Sequence, residues 1–235
     1  MSTDLEDSNN TAFFGHPIGL RTLFFTEMWE RMSYYGMRGL LVLYMTLGVT
    51  GNPGMDWSNV QANAIYGIYA GMVYFLAVPG GWIADNILGY QRSVLIGALI
   101  ITLGHFTLAI PFEQTFILGL VFVALGTGLL KPNISSIVGQ LYSQNDTRRD
   151  SGFTIFYMSI NIGSMLGFAV CGWLGEKVGW HIGFGAAGVG MLFGVTQFIL
   201  FRHHLGEAGK YPNKIKEETR RNYIRGLGLV VFLVA

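Results

Sequence analysis

Glu27-Met28-Trp29-Glu30-Arg31-Met32-Ser33-Tyr34-Tyr35-Gly36-Met37-Arg38 lies between two apolar runs, Leu23-Phe24-Phe25 before it and residues 40–47 after it. Glu27, Glu30, Arg31 and Arg38 therefore sit near the middle of a segment long enough to span a bilayer. A charged side chain at the bilayer centre costs about 2.5–3.5 kcal/mol even on lenient insertion scales. Such charges must face protein, one another or water. At roughly 100° per residue, Glu27, Glu30, Arg31, Tyr34, Tyr35 and Arg38 fall on one face about 140° wide. The stretch is a polar stripe on an otherwise apolar helix.

The rest of the composition agrees with a membrane setting. Of 235 residues, 51% are hydrophobic and 12% charged, against about 25% charged in a soluble domain. The 33 glycines follow no period and suit close helix–helix approach in a bilayer. A net charge of +1 gives no reason to expect nucleic acid as a partner. Cys171, the single cysteine, rules out an intrachain disulfide and lies in an apolar run, where packing is its expected role. Residues 1–10 are polar and acidic, without the basic start and short apolar core of a cleaved signal peptide. The chain reads as an all-α polytopic membrane protein.

Six apolar segments follow one another, near residues 19–48, 60–84, 93–111, 115–142, 152–175 and 183–201. Each approaches or exceeds the ~20 residues that cross the hydrocarbon core. The expected organisation is a polar tail (1–17), a six-helix bundle (18–202), a basic linker (203–222) and the start of a further helix (223–235). Arg92, Arg148, Arg149, Arg202, Lys210, Lys214, Lys216, Arg220, Arg221 and Arg225 fall in connections on one side, and only Lys177 on the other. Basic residues favour the cytoplasmic side, which places the N-terminus and the linker in the cytoplasm. Six helices with both ends inside, then a linker and more helix, is the half-molecule pattern of the major facilitator fold, each half being two inverted three-helix repeats.

Three motifs carry a family resemblance. Glu27-x-x-Glu30-Arg31-x-x-Tyr34-Tyr35-Gly36 closely resembles the E-x-x-E-R-F-x-Y-Y-G motif of the proton-coupled oligopeptide transporter (POT) family, with Met32 where phenylalanine is usual. Phe156-Tyr157-Met158-Ser159-Ile160-Asn161-Ile162-Gly163-Ser164 resembles the same family's F-Y-x-x-I-N-x-G-S. Between them, residues 80–92 resemble the signature loop of the major facilitator superfamily, with Asn86 where arginine is frequent. There Asp85 would end one helix, where a negative charge is unfavourable by itself. A partner for it is expected in Arg92 or at the start of the neighbouring helix.

The resemblance implies an N-terminal six-helix half of a symporter that imports di- and tripeptides with protons by alternating access. Its partners would be the peptide, protons, the lipid bilayer and a second six-helix half, with no cofactor and no metal. Glu27, Glu30 and Arg31 would form the proton-coupling cluster. Arg31, Tyr34, Tyr35, Arg38, Tyr74, Lys131 and Asn161 would line the peptide site, and Asp85 with Arg92 would serve as a conformational latch. Helical spacing lets Arg31 pair with Glu27. Pro132, directly after Lys131, deprives the carbonyl four residues earlier of its helical partner and invites a kink. Arg31, Arg38 and Lys131 outnumber Glu27 and Glu30, a surplus that suits a peptide carboxylate clamped by arginine. Two other readings stay open: a family member moving nitrate or another small anion, and a membrane sensor that binds without transporting. No phosphate-binding glycine loop, nucleophile elbow or Cys/His metal spacing occurs, so an ATP-driven pump or an enzyme has no support here. The expected location is a bacterial inner membrane.

Overall fold

The computed structural model describes residues 12–47, 52–210 and 212. Its regular elements are all helical: α1 (Ile18–Thr46), α2 (Asn59–Ile83), α3 (Tyr90–Leu108), α4 (Glu113–Gln140), α5 (Arg149–Gly167) and α6 (Trp180–Phe201). α2 runs on through a π-helical turn, Ala84–Leu88, and α5 through another, Phe168–Gly172, into the short helix Trp173–Lys177. A 3₁₀ turn, Arg202–Leu205, extends α6. The six expected segments are present with shifted ends. One shift bears on the signature loop: α3 starts at Tyr90, so Arg92 lies inside it rather than in the loop before it. The expected start of a further helix, 223–235, lies outside the described residues.

Local chemistry accounts for several ends. α2 opens on a capping box, in which the Gln61 N–H donates to Ser58 Oγ and the Gln61 side chain reaches back to the Ser58 backbone. Gly89, with φ of 79°, makes the left-handed turn between the π turn and α3. α2 to α6, with their extensions, are long and apolar enough to cross a membrane. α1, at 29 residues, is long enough but carries the charged stripe, and it resolves the conflict by burial. Glu27 and Arg31 are 3% exposed and Glu30 is 0% exposed.

α1 packs against α5 and α6, α4 against α2 and α3, and an α3–α6 contact joins the two groups. Glycines set the closest crossings. A Cβ on Gly36 would lie 2.6 Å from Cys171 Sγ, and one on Gly167 would lie 2.7 Å from the Gly36 nitrogen, so α1 and α5 touch backbone to backbone. At the α2–α4 crossing Gly80 abuts the Gly128 carbonyl. That is the carbonyl Pro132 leaves without a helical donor, and the missing hydrogen bond is where α2 comes closest. Asn133 secures the same crossing by donating to the Leu129 carbonyl at 2.7 Å and the Gly80 carbonyl at 3.3 Å.

Two apolar cores result. One gathers Tyr44, Phe116, Trp180 and Phe184 at the end of the bundle that carries Lys177. The other gathers Leu20, Leu23, Ile137, Phe156 and Phe198 at the end that carries Arg148 and Arg202. Along α1 the charged cluster lies between Leu23 of the second core and Met32 and Tyr34 of the first.

Candidate functional site

α1 presents its stripe inward because its other faces are taken by α5 and α6. Gly163 brings α5 so near that a Cβ there would lie 2.8 Å from Arg31 Cβ. Against that surface the Arg31 guanidinium forms ion pairs with both acids, Nε to Glu27 Oε1 at 3.0 Å and Nε to Glu30 Oε2. The same guanidinium lies 5.2 Å over the Tyr34 ring. Polar capacity is left over: Glu27 Oε2, Glu30 Oε1 and Arg31 Nη2 are buried without a hydrogen-bond partner. Unmatched buried charge of this kind costs several kcal/mol per ion. Such a cluster is a place to look for exchange of partners rather than for stability.

The remaining expected residues fall around this cluster at different depths. Arg38 donates through Nε to the Tyr66 hydroxyl and lies 5.4 Å over its ring. Lys131 Nζ stands 4.8 Å over the Tyr74 ring and is near enough to act electrostatically on Glu27 and Glu30. Tyr35 packs edge-on against Tyr34 and at a tilt against Phe168 of the α5 π turn. α1, α2 and α4 thus bring Arg31, Tyr34, Arg38, Tyr74 and Lys131 into one neighbourhood. Asn161 stands apart: it is exposed on α5, two residues before Gly163, with no side-chain hydrogen bond.

Two residues join the site that the sequence reading did not single out. Tyr66 holds Arg38. Tyr69, 5% exposed, has a buried hydroxyl without a partner and faces the same charges. Their signal was available in the i,i+3 spacing of two hydroxyl-bearing aromatics on α2 ahead of Tyr74.

Of the two partners expected for Asp85, the structure shows the one at the start of the neighbouring helix. Asp85 accepts a hydrogen bond of 2.5 Å from the Tyr90 hydroxyl at the start of α3. Arg92 is not within ion-pair distance of it. One turn into α3, Arg92 points to a separate cavity with Arg202 and Lys210. Among the described residues no group of three or more His, Cys, Asp or Glu side chains could hold a metal ion.

The sequence matches the model of the POT family over residues 91–227. The chain belongs to the POT family. A di-/tripeptide transporter of Lactococcus lactis subsp. lactis (strain IL1403) is 44% identical over 235 residues, covering 97% of this chain and 47% of that protein. The crystal structure of a peptide transporter POT in complex with sulfate is similar with a TM-score of 0.86 and 46% identity, over 97% of this chain and 48% of the other. That of a POT family transporter in complex with 5-aminolevulinic acid is similar with a TM-score of 0.87 and 40% identity, over 98% and 48%. The chain spans about half the length of the curated relatives it matches. These neighbours fix the architecture as one half of the major facilitator fold in an integral membrane protein.

Proposed function

We propose that this POT-family chain forms the N-terminal half of a proton-coupled symporter that imports di- and tripeptides by alternating access. The observation that carries the reading is the buried Glu27–Arg31–Glu30 cluster, in which one guanidinium serves two carboxylates and still has an unbonded Nη2. A peptide C-terminal carboxylate that takes Arg31 displaces one of the protein's own carboxylates. The displaced group is then a buried anion without its cation, and uptake of a proton removes that cost. Glu27, Glu30 and Arg31 couple the proton in this scheme. Arg31, Tyr34, Tyr35, Arg38, Tyr74, Lys131 and Asn161 line the peptide path, and Tyr66 and Tyr69 position Arg38 and Tyr34. No cofactor is needed, because binding and protonation exchange the same ion pairs.

Asp85 acts in a conformational latch through Tyr90, which ties the end of α2 to the start of α3. A second six-helix half completes the cavity, which accounts for the exposed Tyr74 and Asn161. The protein resides in a bacterial inner membrane with its N-terminus in the cytoplasm, in keeping with the basic end of the bundle. Residues 18–202 form the bundle and 203–222 the linker to the other half.

The test is uptake of a labelled dipeptide by the full-length protein in proteoliposomes. An inward proton gradient should drive accumulation. Glu30→Gln should abolish gradient-driven accumulation while leaving counterflow of labelled for unlabelled peptide. Absence of gradient-driven uptake by the unaltered protein, or full accumulation by Glu30→Gln, overturns the mechanism. Binding without counterflow would make the protein a sensor.

A further inference from the structure

The transport reading leaves unused a cavity of about 430 Å³ at the basic end of the bundle, lined by Gln91, Arg92, Arg202, His203, Glu207 and Lys210. Its shape is set by hydrogen bonds to the backbone of residues 208 and 209. The Gln91 N–H donates to the Gly209 carbonyl at 2.8 Å, and Gln91 Nε2 to the Ala208 carbonyl at 2.8 Å. The Gly209 N–H donates to Gln140 Oε1 at 2.7 Å. The first residues of the expected linker are thereby stitched to α3 and α4. Lys210 and Glu207 pair at 2.8 Å. Arg92 and Arg202 have no carboxylate within ion-pair distance among the described residues, so the pocket keeps a positive charge.

Above the pocket the surface turns apolar along a defined line. Ile96, Leu99, Leu103 and Phe106 follow Arg92 at the 4-, 7-, 11- and 14-residue steps that keep to one helix face, and all are exposed. Phe106 meets α6 at Gly188, so this stripe runs along the α3–α6 seam. On α6 the exposed Ile199 and Leu192 rise from Arg202 in the same way. From Arg92 to Phe106 the stripe is about 21 Å long at ~1.5 Å per residue, more than one leaflet's share of a ~30 Å hydrocarbon core.

We propose that this pocket binds the phosphate of an anionic phospholipid whose acyl chains lie along the α3–α6 seam. Basic pockets between transmembrane helices on the cytoplasmic side suit such headgroups. The continuous apolar stripe favours a lipid over a soluble phosphate, which would leave it unused. A lipid there bridges α3, α6 and the linker turn, so bilayer charge bears on the position of the linker. The inference rests on the membrane setting and stands whatever solute the protein carries.

The experiment is native mass spectrometry of the delipidated full-length protein, titrated with phosphatidylglycerol or with phosphatidylcholine. Phosphatidylglycerol should be retained selectively. Arg92→Gln and Arg202→Gln should each weaken its retention roughly fivefold, the share expected of one basic side chain at an anionic surface. Arg92→Lys and Arg202→Lys should restore most of it. Arg148→Gln, which removes an arginine engaged with Asp146 at the same end, should change nothing. Equal retention of the two lipids, or insensitivity to both arginines, overturns the proposal. Displacement of the lipid by inorganic phosphate alone assigns the pocket to a soluble anion and overturns it too. If the glutamine variants fail to run as monodisperse protein, a photoreactive phosphatidylglycerol on the unaltered protein decides. Crosslinks within 91–106 or 192–210 support the site, and crosslinks confined elsewhere refute it.

Discussion

At the residue scale the decisive arrangement is Arg31 held between two acids in a site closed to water. Its worth is asymmetric: intact, the cluster is close to neutral for stability, but loss of the cation strands two buried carboxylates. Arg31→Ala should therefore destabilise the protein by about 3–5 kcal/mol, seen as a lower unfolding temperature in detergent. Adding Glu27→Gln and Glu30→Gln to Arg31→Ala should recover most of that loss, because the stranded charges go with it. If the triple variant is no more stable than Arg31→Ala, the loss came from packing and not from charge. A second titratable site lies outside the membrane spans, where His16 meets the Tyr142 hydroxyl at 2.9 Å and pins residues 13–16 to the α4–α5 connection. Burial, and then the neighbouring Arg148, lower the His16 pKa below its ordinary value, with Asp146 acting the other way. Arg148 holds Asp146 down at about 2, and burial pushes Tyr142 up to about 12, so His16 is the group that changes charge near neutrality. The docked strap binds fewer protons than the released one, so docking is fully stable above about pH 6.5 and weakens as the pH falls through that value. Hydrogen exchange of residues 13–16, corrected for intrinsic rates, should speed up between pH 7.5 and 5.5, and His16→Asn should remove the dependence. A pH-independent strap in the unaltered protein would show that His16 does not hold it.

At the element scale, glycines decide how near α5 can bring its backbone to the stripe on α1. Gly36→Ala should cost about 1–3 kcal/mol through overpacking, because its methyl would meet Cys171 Sγ. Combining it with Cys171→Ala removes that sulfur and should return part of the stability in thermal unfolding; no recovery would put the clash on the position-171 Cβ, 2.8 Å away, and the Gly167 carbonyl, 3.1 Å away. Helices and stripe were legible because hydrophobic length and the positions of Glu27, Glu30 and Arg31 are properties of the letters. The two π turns were not, since nothing in Ala84–Leu88 or Phe168–Gly172 marks a shift from i−4 to i−5 bonding. Tyr66 was passed over because its role depends on where Arg38 reaches across to α2. The docking of residues 206–210 was hidden for another reason: it runs through linker backbone groups to Gln91 and Gln140, and a stretch rich in charge and glycine reads as solvated.

At the scale of the whole molecule, the helices divide by how much of them the bundle covers. The most apolar windows of α3, α4 and α6 are 44–56% buried, but those of α2 and α5 are each 22% buried. The faces of α2 and α5 bearing Tyr74 and Asn161 are therefore the ones the described bundle leaves open, and this asymmetry, unlike the segment count, needed the packing to be seen. Orientation is the remaining property of the whole. Arg92, Arg148, Arg202 and Lys210 gather at one end of the bundle and Lys177 at the other, so a basic-inside arrangement puts the α4–α5 connection in the cytoplasm. Gln144, in the α4–α5 connection, and Lys177, at the end of the α5 extension, are both exposed. In a Cys171→Ser background, a membrane-impermeant maleimide applied to intact cells should label Lys177→Cys at once and Gln144→Cys only after permeabilisation. The reverse pattern would invert the topology and place the proposed lipid pocket in the outer leaflet. Labelling of both from outside cannot be reconciled with α5 crossing the membrane between them.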